Sequence, residues 1–485
     1  MGRDRRQRPR DLVIRQPRLR DMLPTVVVAE PLRQPRRLFS SPYILLFGFV
    51  LIIGVGGLLL ALPLAGAGGG YTSPVTSFFT AISAVTVTGH TVVNTPTYWS
   101  GFGQAVIFVL MMVGGLGFMV VSTFLLLVIG HRSTLQERLL TSGLMRDTVG
   151  VQQMEGLRRV GRNVVLLVLV LYGIGTIAIF WQIHGLDGAG VGKSLWHSLF
   201  LSVASFNNSG FTIIPEGGAG SSLARFASNH SLLLISTVLM VLGGLGWTVL
   251  VDMYRRRRFY RFSLDTKLVV VMSLSLWALG VGVLLLAEFN NAGTLGSLSW
   301  ADKSVGAVFQ SVSGRTAGFS TIDFGQVKEV TAMTYSALMF VGGAAGSVAG
   351  GIKVVTFAVI VAAVMSSLRG RSQAEAFGRE IPVSQLYRAL TVALLGLAVI
   401  VILLTILTIT ESEVPFLNLM FDTVSALGTT GATTGIVPSF SIPGKCLFMV
   451  AMIVGRLGPV VLALALAPRE DPTVYRFAQE RVKIG

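Results

Sequence analysis

Four times along this chain an apolar stretch of ten to twelve residues runs into a polar segment built around one glycine. The stretches are Thr76–Val85, Leu195–Ser205, Ala301–Val312 and Phe416–Ala426. Each is too short to cross a bilayer, which needs roughly 20 apolar residues per helix, and the alternative for such a length is a re-entrant half-membrane helix. Aligned on the glycine, the continuations read Ala84-Val85-Thr86-Val87-Thr88-Gly89-His90 and Ser205-Phe206-Asn207-Asn208-Ser209-Gly210-Phe211. The other two read Ser313-Gly314-Arg315-Thr316-Ala317-Gly318-Phe319 and Ala426-Leu427-Gly428-Thr429-Thr430-Gly431-Ala432. Ten residues before the glycine stand Phe79, Phe200 and Phe421, with Val308 at that place in the third repeat and Phe309 beside it.

A second signature follows each glycine. Val113-Gly114-Gly115-Leu116-Gly117 recurs as Leu242-Gly243-Gly244-Leu245-Gly246, as Val341-Gly342-Gly343 and as Val454-Gly455-Arg456-Leu457-Gly458, at offsets of 25, 33, 24 and 24 residues. Glycines that merely let membrane helices pack closely would account for this second signature, but not for the first, which lies in a connection. Two signatures repeated in order at near-constant offset mark a repeated architecture.

Eight apolar runs flank the short stretches: Pro42–Pro63, Gln104–Gly130, Val164–Ile183, Ser231–Val251, Leu268–Leu286, the interrupted Met333–Met365, Leu390–Ile409 and Leu447–Ala467. Hydrophobic residues make up 52% of the 485 and charged residues 13%, with a mean hydropathy of +0.71, which a soluble domain could not cover with polar surface. Eleven arginines against four acids occupy the first 38 residues, and further basic clusters fall at 131–162, 255–261, 369–379 and after Arg469. The positive-inside rule puts both termini and these loops in the cytoplasm and explains a net charge of +16 without nucleic acid. The basic tail is expected to be disordered and to rest on anionic lipid. A lone cysteine, Cys446, excludes an internal disulfide and is expected in the core.

The expected fold is all-α and integral to the membrane: four pseudo-symmetric helix–pore-loop–helix repeats around one ion pore, with eight transmembrane spans and four re-entrant pore helices. The segments are a basic tail (1–40), repeat 1 (41–130), a cytoplasmic linker (131–162), repeat 2 (163–254), a basic loop (255–265), repeat 3 (266–368), a loop (369–384), repeat 4 (385–467) and a tail (468–485). Irregular backbone at membrane depth is tolerated only where it lines a water-filled path or is buried in protein, and four such loops around an axis make a filter. A dehydrated cation needs oxygen ligands, which rings of main-chain carbonyls supply. Gly89, Gly210, Gly318 and Gly431 would give the backbone the freedom to aim them.

These runs resemble the four filters of the Trk/Ktr/HKT potassium transporters, and Gly342-Gly343-Ala344-Ala345-Gly346-Ser347-Val348-Ala349-Gly350-Gly351-Ile352-Lys353 resembles a segment of the same superfamily. The resemblance covers roughly 40–467 and is strongest to the Ktr-type membrane subunit, since no extra hairpin precedes the first repeat. It implies potassium uptake across a plasma membrane, a bacterial inner membrane. It also implies a homodimer with one pore per protomer and a cytosolic nucleotide-binding regulatory ring of the KtrA/TrkA kind. The filter residues would be Thr86, Val87, Thr88, Gly89, Asn207, Asn208, Ser209, Gly210, Arg315, Thr316, Ala317, Gly318, Gly428, Thr429, Thr430 and Gly431. Glycine at all four positions goes with potassium selectivity in this superfamily, whereas a first-filter serine goes with sodium permeation. No cofactor is expected beyond transported potassium, with sodium as co-ion or activator left open.

The Gly-rich interruption holds five glycines in ten residues, each weakening a helix by about 1 kcal/mol relative to alanine. By the resemblance it is an intramembrane gate made of Gly343, Ala344, Ala345, Gly346, Ser347, Val348, Ala349 and Gly350; the plainer reading is a close-packing interface. Arg456 replaces a signature glycine at membrane depth, where a charge is costly and a functional role is the default; it is expected to contact the gate. Lys353, near the cytoplasmic half of its span, has a functional role or merely snorkels. Arg315 suits the negative end of a pore-helix dipole, with Asp422 as a candidate partner. Asp323 and Glu216 would draw cations to the outer mouth. His90 is either a pH sensor there or filler.

No catalytic constellation and no phosphate-binding loop is present, and His131, His184, His197 and His230 stand isolated, without metal-ligand spacing, so an enzyme is not expected. Two rivals remain: a sodium-permeable or poorly selective transporter of the same superfamily, and a secondary carrier for an organic solute. Carriers tend to have two related halves rather than four quarters with a pore loop in each.

Overall fold

The computed structural model describes residues 42–130, 146–184, 190–215 and 222–465. The N-terminal tail, residues 131–145 of the linker, Glu216 and the C-terminal tail lie outside the described residues. The chain divides into two compact units, residues 1–44 and 45–485, and all four of the short apolar stretches lie in the second.

The structure is 71% helix, in 14 helices among the described residues. In chain order they are α1 (Pro42–Ala61), α2 (Pro74–Val85), α3 (Thr95–Tyr98), α4 (Gly101–Gly130), α5 (Arg146–Ile183), α6 (Val191–Asn207) and α7 (His230–Arg256). Then come α8 (Leu264–Ala287), α9 (Trp300–Thr316), α10 (Glu329–Phe340), α11 (Val354–Leu368), α12 (Val383–Thr410), α13 (Phe416–Gly428) and α14 (Ile442–Ala465). A two-stranded hairpin, Glu375–Ala376 with Arg379–Glu380, joins α11 to α12.

Five helices among the described residues are long and apolar enough to cross a membrane: α4, α5, α7, α8 and α12. The interrupted span is two helices, α10 and α11, each too short to cross by itself. The four short helices α2, α6, α9 and α13 form the inside of the molecule. Phe79, Phe200, Phe309 and Phe421 on them are fully buried, whereas the long helices expose Leu51, Ile177, Val238, Leu286 and Ile402. Apolar side chains facing outward are what a hydrocarbon solvent permits.

Local chemistry sets where the inner helices begin. Ser73 accepts from the Thr76 N–H and Pro74 occupies the first turn of α2, while Ser299 accepts from the Asp302 N–H at the start of α9. Repeats 3 and 4 share a further device. Glu288 closes α8 and accepts from the Lys328 N–H (2.9 Å) just before α10. Glu411 closes α12 and accepts from the Ser441 N–H (3.1 Å) just before α14. A carboxylate that ends one span thus caps the next, satisfying donors that a helix leaves unpaired. Cys446, expected in the core, is exposed on α14, because the helix buries the face that carries Phe448, Ala451 and Met452 and leaves the face with Cys446 and Val450 outside.

Candidate ion pathway

The four glycines form a closed ring. A side chain at Gly89 would strike the Ser209 carbonyl; at Gly210, the Ala317 carbonyl; at Gly318, the Thr430 carbonyl; and at Gly431, the Thr88 carbonyl. Repeat 1 therefore meets 2, 2 meets 3, 3 meets 4, and 4 returns to 1. In every case the oxygen belongs to the residue just before the neighbouring glycine, so the four contacts are equivalent. All four glycines have positive φ, between +71° and +91°, a region that a side chain makes costly.

Each of the four short helices ends within a few residues of this ring, and a helix C-terminus carries about half an elementary charge of negative sign. Three polar side chains near the ring bond to the surrounding protein. The Asn207 Oδ1 accepts from Tyr172 (2.9 Å), the Asn208 Nδ2 donates to the Met240 carbonyl (3.3 Å), and the Thr86 Oγ1 donates to the Ile82 carbonyl (2.7 Å). Thr316 and Ala317 lie where α9 ends.

Three repeats reach the ring in the same way and one does not. Val87, Asn208 and Thr429, each two residues before the glycine, are left-handed with φ between +50° and +57°. The third repeat has no such residue; α9 runs helical to Thr316, and both Ala317 and Gly318 N–H groups bond the Ser313 carbonyl at 2.8 Å. From the buried phenylalanine to the ring glycine it is one residue shorter, so Phe309, not Val308, occupies the common pocket, and Val308 is 39% exposed. In that register Arg315 matches Val85, Phe206 and Leu427. Gly114, Gly243 and Gly455 each press against the carbonyl of one of these three residues, so closely that a Cβ would overlap it.

The corresponding glycine of the third repeat, Gly342, lies instead in a loop. Residues 341–353 leave the helix, and all of 343–350 is buried except the half-buried Ala345. The loop touches the other three repeats. The Ala344 N–H donates to the Gly244 carbonyl (3.0 Å) and the Val348 N–H to the Gly243 carbonyl (3.2 Å). Gly350 backs onto the Thr429 side chain, and Gly351 onto the Gly428 carbonyl. Gly343 packs against Ala349 and Ser347, and Gly346 has φ +77°. Arg456 donates through Nη1 to the Val348 carbonyl and through Nη2 to the Gly114 carbonyl (3.1 Å), with its guanidinium 4.2 Å from the Phe118 ring. Lys353 turns inward: its Nζ donates to the Ala349 carbonyl (2.6 Å) and lies 5.5 Å from the same Phe118 ring. Two cations thus hold two adjacent carbonyls of one loop.

The model of the TrkH family, described as cation transport proteins, matches residues 59–472. The chain belongs to that family. Its relatives include the Ktr system potassium uptake protein B of Bacillus subtilis, 37% identical with 92% of this chain and 97% of the relative covered. The Ktr system potassium uptake protein B of Vibrio alginolyticus is 32% identical over 92% and 95%. The potassium/sodium uptake protein NtpJ of Enterococcus hirae is 30% identical over 93% and 99%. The crystal structure of the potassium transporter TrkH from Vibrio parahaemolyticus shares the fold, with a TM-score of 0.67 at 19% identity, covering 92% of this chain and 88% of that one.

In this TrkH-family chain, residues after the ring glycines line one vestibule, with hydroxyls from Thr91, Thr212, Ser320 and Thr433 and the carboxylate of Asp323. Asp323 also accepts from the Gly325 N–H (2.8 Å), so it shapes its loop as well as facing the cavity. His90 is not among the lining residues. It is 1% exposed, edge-on to Phe448 at 5.7 Å, and neither ring nitrogen has a partner, which fits the packing reading rather than the sensor.

Two sequence expectations need correction. Arg315 does not pair with Asp422. The guanidinium reaches the Val341 and Gly342 carbonyls, while Asp422 accepts from the Thr434 N–H and the Thr433 hydroxyl, both at 2.8 Å, bracing the loop after the fourth glycine. The unwound loop brings carbonyls closer to Arg315 than any carboxylate. Nor is His230 isolated: its Nε2 meets Asp302 at 2.7 Å, joining α7 to the third pore helix. Sequence reading also missed a kink in α7 at Gly246 (φ +76°, ψ +161°), where a Cβ would meet Gly346. Its signal was the density of glycine at 243–246, which resembles the loop it receives.

Proposed function

We propose that this chain is a potassium-uptake pore of the plasma membrane, selective through main-chain carbonyls of the ring and closed by the 343–350 loop. One observation carries the reading: four glycines of positive φ, each abutting the carbonyl before the next glycine, close into a single cycle. Such a cycle offers a dehydrated cation oxygen ligands in place of water, and four helix C-termini favour positive charge there. The names of the two Ktr relatives agree with potassium as the cargo. Arg456 and Lys353, with no carboxylate beside them among the described residues, place two positive charges beneath the ring and oppose cation passage while the loop is docked. The working assembly is a homodimer whose loop is moved by a cytosolic nucleotide-binding ring, with both termini cytoplasmic. No tightly bound cofactor and no enzymatic activity belong to this reading.

Complementation of a potassium-uptake-deficient bacterium, followed by rubidium and sodium uptake into vesicles holding the purified chain, tests it. Growth rescue with rubidium preferred over sodium is expected; sodium entry at an equal rate would replace potassium selectivity with the potassium/sodium reading that the name of the Enterococcus hirae relative suggests.

A further inference from the structure

Arg315 carries a charge at the place where the other three repeats have the apolar Val85, Phe206 and Leu427. It is the penultimate residue of α9, is 2% exposed, and forms no ion pair with any carboxylate among the described residues. Its Nε donates to the Val341 carbonyl (3.0 Å), its Nη2 to the Gly342 carbonyl (2.8 Å), and the guanidinium lies 5.6 Å from the Trp277 ring. Those two carbonyls belong to the point where α10 stops and the loop begins, since Val341 has already left helical geometry (φ −97°, ψ 92°). The main-chain carbonyl of Arg315 meanwhile accepts from the Thr430 hydroxyl of the fourth ring segment (3.2 Å). A single residue therefore touches the third segment, the fourth segment and the hinge of the loop.

We propose that Arg315 is a positioning residue that latches the intramembrane loop to the selectivity ring. Displacing the loop at its hinge separates the guanidinium from its two acceptors, and a buried cation left without acceptors is strongly disfavoured. A planar fork holds two successive carbonyls through two separate nitrogens; an ammonium is a single nitrogen on a flexible stem and cannot keep both contacts in that geometry. The helical third segment, one residue shorter than the others, is what brings the side chain within reach of the hinge. The inference rests on the reading of 343–350 as a gate.

The test compares the full-length chain, Arg315→Lys and Arg315→Gln in potassium-loaded vesicles without any cytosolic partner, reading rubidium uptake. Each variant is also made in a chain lacking Ala345–Ala349. A second readout is thiol labelling of Ser347→Cys in a Cys446→Ala background, since Ser347 is fully buried while the loop is docked. Loss of one hydrogen bond from a charged donor predicts a rise of roughly tenfold in uptake and in labelling rate for Arg315→Lys. In the loop-deleted chain the same substitution changes nothing further, and the rubidium-to-sodium ratio holds. The latch is overturned if deletion alone raises uptake while neither Arg315 variant alters uptake or labelling. It is also overturned if Arg315→Lys shifts the rubidium-to-sodium ratio equally with and without the loop, which would place its action in the ring. Deletion without effect on uptake would remove the gate itself, a separate failure. Should a variant not fold, labelling of the other decides.

Discussion

The first and third repeats start from the same plan and end at the same ring, yet they arrive differently. In the first, α2 ends at Val85, Val87 takes a left-handed turn, and an unbroken α4 passes close by because Gly114 leaves room for the Val85 carbonyl. In the third, one residue fewer keeps α9 helical to the threshold of the ring, an arginine replaces the terminal apolar side chain, and the following span unwinds for thirteen residues (341–353). The contrast teaches that a fourfold scaffold can keep its ring intact while one quarter unwinds its second span. What all repeats retain is the glycine and the carbonyl before it; what the third gives up is the close helix-to-helix contact behind them.

The largest expected effect lies in what the repeats share. Gly89→Ala and Gly318→Ala each place a Cβ against a neighbouring main chain at positive φ, a cost of about 1–2 kcal/mol for the backbone and about 1–3 for the overlap, so rubidium uptake should fall about a hundredfold in both. A mild phenotype for Gly318→Ala alone would mean that the third segment does not belong to the ring. Next come the signature glycines. Gly114→Ala and Gly455→Ala should lower stability by about 1–3 kcal/mol in thermal unfolding, because the added carbon meets a pore-helix carbonyl. Gly342→Ala, whose Cβ meets the Gly350 carbonyl within the loop, should leave the melting temperature near that of the parent and raise partner-free uptake instead. Equal melting shifts for all three would erase the distinction between the repeats.

A smaller effect is expected at the carboxylate clamp that repeats 3 and 4 hold in common. Burial pushes the Glu288 carboxyl up, but hydrogen bonds from Thr331, Asn291, the Lys328 N–H and Thr294 outweigh it and hold the group below the usual carboxylate range. A depressed carboxyl stabilises the fold above its unfolded-state value and loses that contribution as pH falls through its folded-state value. Glu288→Gln should therefore cost about 1–3 kcal/mol near neutral pH and flatten the decline of stability in acid, as read by melting between neutral and acidic buffer. The smallest effect belongs to His90. His90→Leu exchanges an unpaired buried ring for an apolar side chain, so uptake should keep the parent's pH profile; a shifted profile would restore the sensor reading.

Much of the architecture was legible in the chain itself. Short apolar stretches followed by glycine, repeated four times between long apolar runs, leave few options other than re-entrant helices around an axis. Five glycines in ten residues made the break in the third span readable too. The partners of the charged side chains were not. Arg315 and Asp422 are two charges on neighbouring pore helices, and pairing them is reasonable in one dimension. Only the unwound hinge shows that main-chain carbonyls lie nearer to the guanidinium.

Periodicity, the lengths of apolar runs and glycine content are local properties, and they determined the repeat, the membrane class and the position of the weak helix. Which Phe fills the third pocket, why α7 kinks at Gly246, and where Arg315, Lys353 and Arg456 find acceptors depended on the tertiary structure. Those outcomes turn on shifts of a single residue and on carbonyls freed by unwinding, and the chain brings such groups together only when all four repeats have closed.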